Sequence, residues 1–260
     1  MSKIKTIINY KDHPIDRRVY RNYCLNKLRK NSVLLLKNFL NTEILKSIQD
    51  EALFLEKHAF YCSQKHTVLL NRYNKKINKN DPLNIEVVSD KGCVPHDLIN
   101  KNSYLNKLYT SYDFKNFLIY VLGVKNIYPY NDKLSSINYN YYQQNQQLGW
   151  HFDNASFAIT LMIQSSSEGG IFEYVNKGRN YNTGYINKKF ITNVLKNKVK
   201  THKLSAKPGT LILFYGRDYL HRVSKVKSQK PRILVTLNYN EEKNIELSKN
   251  ARKTFFGRIN

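Results

Sequence analysis

Hydrophobic and polar positions change their period once along this chain, near Leu134. Before that point the signal is mainly helical. From Asn41, a residue suited to an N-cap, the apolar side chains Ile44, Ile48, Ala52 and Leu55 recur at three- and four-residue spacing and predict one buried helix face. Asn102 or Ser103 opens a second helix, expected to run through Tyr109. Ser111 opens a third, which carries Phe114, Phe117, Leu118, Val121 and Leu122 to a stop at Gly123. The stretch up to about Asn31 reads as a basic extension with a helix over Tyr20 to Leu28, and Ser32 to Phe39 as an apolar strand. Arg72 to Pro82 is polar and aperiodic, which predicts a surface loop.

After Leu134 the period becomes two. Strands are expected over Ile137–Tyr142, Phe157–Ile163, Ile171–Val175, Thr210–Tyr215, His221–Val223 and Arg232–Tyr239. Short strands behind a helical preface predict one compact α+β unit: a double-stranded β-helix, or jelly roll, with N-terminal helices packed on it. Residues 1–130 then form the basic extension and supporting helices, 131–245 the jelly-roll core and 246–260 a C-terminal tail. Between Asn176 and Thr201 lies a long polar insertion with one short helix around Phe190, Ile191, Val194 and Leu195; insertions of that length in a barrel are often lids over the mouth, and the sequence leaves open whether this one closes over the site.

Charge adds a question. Lysine and arginine total 43 against 19 acidic residues, a net +24 that raises nucleic acid or an anionic membrane as partners. The charge is spread in short clusters such as Lys75-Lys76 rather than gathered in a long block, so a solvated basic surface is the simpler expectation, with nucleic acid still open. Cys24, Cys62 and Cys93 lack CxxC spacing and predict neither a disulfide framework nor a zinc site. Met1-Ser-Lys-Ile-Lys5 lacks a signal-peptide core, and the apolar run Val33–Leu36 is far too short for a bilayer. A soluble, cytoplasmic protein without membrane contact is the expectation.

The chemistry concentrates in Leu148-Gly-Trp-His-Phe-Asp153. His151 and Asp153 stand two residues apart, a spacing that puts both side chains on one face of a strand. With His221 as a second imidazole, the set becomes a two-histidine, one-carboxylate facial triad, which binds iron(II) and leaves the opposite metal positions open. Arg232 heads its strand, where its guanidinium fork suits the carboxylate of a co-substrate. A His-x-Asp pair alone is more often a structural hydrogen bond. Its weight comes from order: His151-Phe-Asp153, an apolar strand, Gly169-Gly170, Pro208-Gly209 before the strand Thr210–Phe214, then His221 and Arg232.

Four stretches, Leu148-Gly-Trp-His-Phe-Asp-Asn-Ala-Ser-Phe157, Glu168-Gly-Gly-Ile-Phe-Glu-Tyr-Val175, Lys207-Pro-Gly-Thr-Leu-Ile-Leu-Phe-Tyr-Gly-Arg217 and Leu220-His-Arg-Val223, resemble the Fe(II)/2-oxoglutarate-dependent dioxygenase superfamily. The likeness is closest to the bacterial branch of free-amino-acid hydroxylases and carrier-free amino-acid halogenases. It implies His151, Asp153 and His221 as catalytic iron ligands, Arg232 as the 2-oxoglutarate arginine, and O2 as second co-substrate. In the halogenases the carboxylate position holds a small residue, so Asp153 implies a hydroxylase. Many superfamily members carry Ser or Thr two residues after the arginine, where this chain has Leu234. By strand parity, Tyr142 or Thr236 is the replacement contact to co-substrate.

Parity also offers substrate contacts. Asn138, Asn140 and Tyr142 share one strand face, opposite Ile137, Tyr139 and Tyr141, and this polar face looks either into the barrel or to solvent. Trp150 reads either as a wall of the site or as a core residue. Arg217, Asp218 and Arg222 flank His221 as substrate contacts or as surface charges. His13, His58, His66, His96 and His202 fit no ligand spacing. The expected activity is hydroxylation of an unactivated C–H bond of a small molecule, an amino acid or derivative, with release of succinate and CO2. Two alternatives stand beside it: the same chemistry on a nucleic acid or protein docked by the basic surface, and a non-catalytic jelly-roll binding protein.

Overall fold

Two antiparallel sheets enclose one cavity in the computed structural model of the chain, which describes residues 4–260. The major sheet has seven strands in the order Val33–Leu36, Leu211–Phe214, Ala158–Gln164, Arg232–Leu237, Ile137–Tyr142, Val87–Val94 and Phe60–His66. The minor sheet has four, ordered His202–Leu204, Phe172–Lys177, Tyr219–Val223 and Leu148–His151. This is the jelly-roll core behind a helical preface that the change of period predicts. Residues 1–3 of the basic extension lie outside the described residues.

Alternation determines what each major-sheet strand contributes. On Ile137–Tyr142, Ile137, Tyr139 and Tyr141 join the main apolar core, and Tyr139 and Tyr141 donate their hydroxyls to Glu51 (2.7 Å) and to the Ala52 carbonyl (2.7 Å) on the helix Thr42–Leu55. Asn138, Asn140 and Tyr142 point the other way and line the cavity. The polar face therefore looks inward. Removal of the Thr42–Leu55 face from water, through Ile44, Ile48, Ala52 and Leu55, fixes that helix on the outer side of the sheet.

The helix caps and the chain termini differ in detail from the expectation. Asn41 occupies the N-cap position, but its amide reaches to the Thr6 carbonyl (2.8 Å) and does not cap the helix. Ser103, not Asn102, caps Tyr104–Thr110, and Ser111 caps Tyr112–Leu122, which ends at Gly123 with φ of 70°. The boundary at residue 130 does not divide the major sheet, because Val33–Leu36, Phe60–His66 and Val87–Val94 all pair into it. Nor is 246–260 only a tail: Ser248 caps a helix, Lys249–Phe256, whose Phe256 packs with Cys93 and Leu134.

The insertion also takes another place. Its helix, Lys188–Leu195, buries Ile191 and Val194 against Trp150, Phe152, Val175 and Leu220 in a separate apolar cluster. No residue of 176–201 lines the cavity. The insertion is a buttress behind the minor sheet rather than a lid, which answers what the sequence left open, and it is pinned by Lys188 to Asp81 at 2.6 Å. No helix of the described residues is long and apolar enough to cross a membrane.

Candidate functional site

His151 and His221 are cross-strand partners in the minor sheet, with ring centroids 4.1 Å apart. Each ring's Nδ1 lies against the carbonyl two residues before it, Gly149 at 2.8 Å and Tyr219 at 2.9 Å. A carbonyl only accepts, so both Nδ1 atoms carry the proton and both Nε2 atoms offer lone pairs. Asp153 Oδ1 lies 3.4 Å from Nε2 of His151 and 3.5 Å from Nε2 of His221. One ligand atom from each of the three residues falls within 4.8 Å of the others, a grouping able to hold a metal ion.

Asp153 is not on the strand, which ends at His151. Its backbone is held by other bonds: Phe152 N–H donates to the Val68 carbonyl (2.9 Å), Asp153 N–H to the Gly216 carbonyl (3.0 Å), and Arg179 to the Asp153 carbonyl (2.8 Å). A Cβ on Gly216 would sit 1.8 Å from Asp153 Oδ2, so only glycine leaves space for the carboxylate. Burial by itself raises the Asp153 carboxyl pKa, but the adjacent His221 and His151 imidazoles, which favour the carboxylate whenever one of them takes up a proton, outweigh burial and hold it below the ordinary carboxylate range. Burial and the neighbouring His221 lower His151, which favours the neutral, metal-binding imidazole.

Arg232 is 2% exposed and stands directly across the strand pair from Tyr142, its guanidinium carbon 5.2 Å from the ring centroid. Its Nε and Nη1 are buried without a partner. Burial lowers its pKa, opposed by Tyr142. An unpaired buried guanidinium is strongly unfavourable and calls for an anion. Thr236 also lines the cavity, but it is four residues along the strand, about 13 Å from Arg232 at the usual rise. Tyr142, not Thr236, therefore flanks the guanidinium. Leu234 stands between them on the same face.

The cavity is about 330 Å³ and is lined mainly by apolar side chains, including Phe172, Ile212, Phe214 and Leu234. Asn138 lines it with its amide already engaged, donating to the carbonyls of Leu134 and Ile137 and accepting from Asn238. Trp150 does not line it: alternation turns Trp150 away from His151 into the cluster under the insertion, where Arg222 stacks 4.7 Å from its ring. Arg217, Asp218 and Arg222 are likewise off the cavity, Arg222 being paired with Glu173 at 2.7 Å and Asp218 with Lys177 at 3.0 Å.

Sequence spacing missed the outer hairpin, Phe60–His66 with Val87–Val94. It brings Cys62, Gln64, His66, Ser89, Lys91 and Cys93 to the cavity. His66 stands 6.3 Å from the His151 ring. It donates from Nδ1 to the Thr67 carbonyl (2.8 Å) and accepts at Nε2 from Ser89 (2.6 Å), whose oxygen accepts the Gly149 N–H (2.9 Å). Through Ser89, His66 thereby braces the strand Leu148–His151 that carries His151. The detectable signal was the alternation 62, 64, 66 and 89, 91, 93, but its inward residues are polar and resemble a loop.

A jelly roll carrying a His-Asp-His group and an orphaned arginine defines the class of 2-oxoglutarate/Fe(II) oxygenase folds. Solved structures agree in fold: an oxidoreductase of the 2OG-Fe(II) oxygenase family from Burkholderia pseudomallei (12% identity, 87% of this chain and 93% of that one, TM-score 0.56); a prolyl hydroxylase in complex with a hypoxia-inducible-factor peptide from Trichoplax adhaerens (14%, 92% and 96%, 0.55); and the α-ketoglutarate-dependent epimerase SnoN from nogalamycin biosynthesis (9%, 86% and 83%, 0.57). None of the curated proteins matches the chain significantly. Within that class the chain belongs to the Halogenase D family, which matches residues 18–256.

Proposed function

We propose that this protein is an Fe(II)- and 2-oxoglutarate-dependent dioxygenase that hydroxylates an unactivated C–H bond of a small molecule. The observation that carries the reading is the approach of Asp153 Oδ1 to both imidazole Nε2 atoms, in a cavity also lined by an arginine with two unpartnered buried nitrogens. Two imidazoles and one carboxylate on one side of a cavity fit iron(II), and the orphaned Arg232 fork fits the distal carboxylate of 2-oxoglutarate. When bound, iron and 2-oxoglutarate supply the oxidising power from O2, with succinate and CO2 as the products of the co-substrate.

The chain's own residues do the rest. Backbone carbonyls at Gly149 and Tyr219 fix the imidazole tautomers, so neither ring must reorient on metal binding. Tyr142 and Arg232 orient the co-substrate from one end. The apolar lining excludes water from the reacting carbon and positions it within a confined space. The size of the cavity, at the low end for small-molecule sites, favours a small substrate over a docked macromolecule.

Hydroxylation, rather than the halogenation in the family's description, follows from Asp153: its carboxylate fills the third protein position, and Gly216 leaves room for it there. The test is turnover of the iron-reconstituted protein with 2-oxoglutarate and O2 in chloride buffer, with products analysed by mass. A product that gains one oxygen atom, with succinate formed in step, supports the reading; a chlorinated product contradicts the hydroxylase assignment.

A further inference from the structure

Lys91 is a second cation in the cavity, and nothing there balances it. It alternates inward from Val87–Val94, is partly buried, and donates to Asn140 Oδ1 at 2.5 Å, with its ammonium 5.3 Å from the Phe255 ring centroid. Both partners are neutral. The only carboxylate among the described lining residues is Asp153, which belongs to the His-Asp-His group.

This asymmetry bears on the substrate, on the oxygenase reading given above. Asp153 would help hold and balance iron(II), and Arg232 would take a carboxylate of 2-oxoglutarate. Lys91 is then left holding an amide oxygen. Its ammonium leans to Asn140, two residues along the strand from the Tyr142 that flanks Arg232, and toward the C-terminal helix that carries Phe255 and Phe256. A partly desolvated ammonium gains most from an anion that replaces lost hydration. An ammonium on the ligand, by contrast, would find no carboxylate to meet it. A free amino acid, with both charges, fits half of the site and leaves its amine unmatched.

We propose that the substrate is a small apolar carboxylate without a free ammonium group, a simple organic acid or an N-acylated amino acid. Its carboxylate seats on Lys91, and its hydrocarbon body runs along the apolar lining toward His151, Asp153 and His221.

The test is anaerobic calorimetry on protein loaded with Fe(II) and 2-oxoglutarate, titrated with hexanoate, hexanamide, norleucine and N-acetylnorleucine. The two carboxylates lacking an ammonium are expected to bind at least about tenfold more tightly than the amide and the free amino acid, the scale of one charge-assisted hydrogen bond. Lys91→Gln and, independently, Asn140→Asp, which supplies Lys91 with a built-in counter-ion, should reduce carboxylate binding to the level of the amide and leave 2-oxoglutarate binding unchanged. Norleucine binding as well as N-acetylnorleucine, hexanamide as well as hexanoate, or neither carboxylate binding at all would overturn the proposal. Weakened 2-oxoglutarate binding in both variants would overturn it too, by assigning Lys91 to the co-substrate. If wild-type protein binds no 2-oxoglutarate, the oxygenase reading fails and this inference falls with it; normal 2-oxoglutarate binding without carboxylate preference rejects the substrate class alone.

Discussion

Gly216 and Asp153 are matched by shape: a methyl group at 216 would lie 1.8 Å from the carboxylate oxygen Oδ2. Gly216→Ala should therefore push Asp153 out of line with the two imidazoles while leaving the sheets intact. Iron(II) affinity is expected to fall by about 10- to 100-fold, the range typical when support of a ligand is lost. Unchanged affinity, measured by competition with a metal indicator, would show that the carboxylate does not bind the metal where it now lies.

Asp153→Gly removes the carboxylate and leaves the space. Hydroxylation should be lost with the third ligand, while the fold, judged by circular dichroism and thermal unfolding, is retained. A chlorinated product from this variant in chloride buffer would show that the carboxylate alone separates hydroxylation from halogenation in this chain.

Arg232 gives a prediction in which stability and binding move in opposite directions. In the protein without 2-oxoglutarate its guanidinium is buried with two unpartnered nitrogens. Arg232→Met, similar in length and apolar, should leave the ligand-free protein as stable or stabilise it by about 1–4 kcal/mol. The same change should abolish the rise in melting temperature that 2-oxoglutarate produces in the parent protein. A destabilised variant that still responds to 2-oxoglutarate would contradict both halves.

A pH effect follows from His13, far from the metal group. Its Nε2 donates to the Lys37 carbonyl (2.8 Å), its Nδ1 accepts from the Tyr20 hydroxyl (2.6 Å), and burial lowers its pKa, against the raising effects of the Lys37 carbonyl and Asp12. With a folded pKa below the unfolded value, the unfolded chain binds more protons just below pH about 6.5. Stability from this residue is complete above that pH and declines as pH falls toward the folded pKa. Urea unfolding between neutral pH and pH about 5 should show a shallower acid-side slope in His13→Gln than in the parent; an equal slope would assign the acid sensitivity elsewhere.

The sequence was informative where burial and alternation coincide. The strand Ile137–Tyr142 carries apolar core residues on one face and cavity residues on the other, so parity sorted its two faces correctly. The distant His221 was legible because the motif order names it, although only the register His221 to His151 shows why the two meet. The hairpin Phe60–His66 with Val87–Val94 was not legible, since its inward residues, such as Gln64, Ser89 and Lys91, face a polar part of the cavity and give no hydrophobic period. Trp150 and the insertion stayed open in the sequence for a related reason. Proximity in sequence to His151, and length, say nothing about which side of the minor sheet a side chain packs on.

The most direct measurement is anaerobic visible absorption on adding Fe(II) and then 2-oxoglutarate to the protein, alongside His151→Ala, His221→Ala and Arg232→Gln. If the three ligands and the arginine act as assigned, the parent develops the charge-transfer band of chelated 2-oxoglutarate, and the histidine variants do not. Arg232→Gln should require far more 2-oxoglutarate to reach it. A band that persists undiminished without either histidine would contradict the account at its centre.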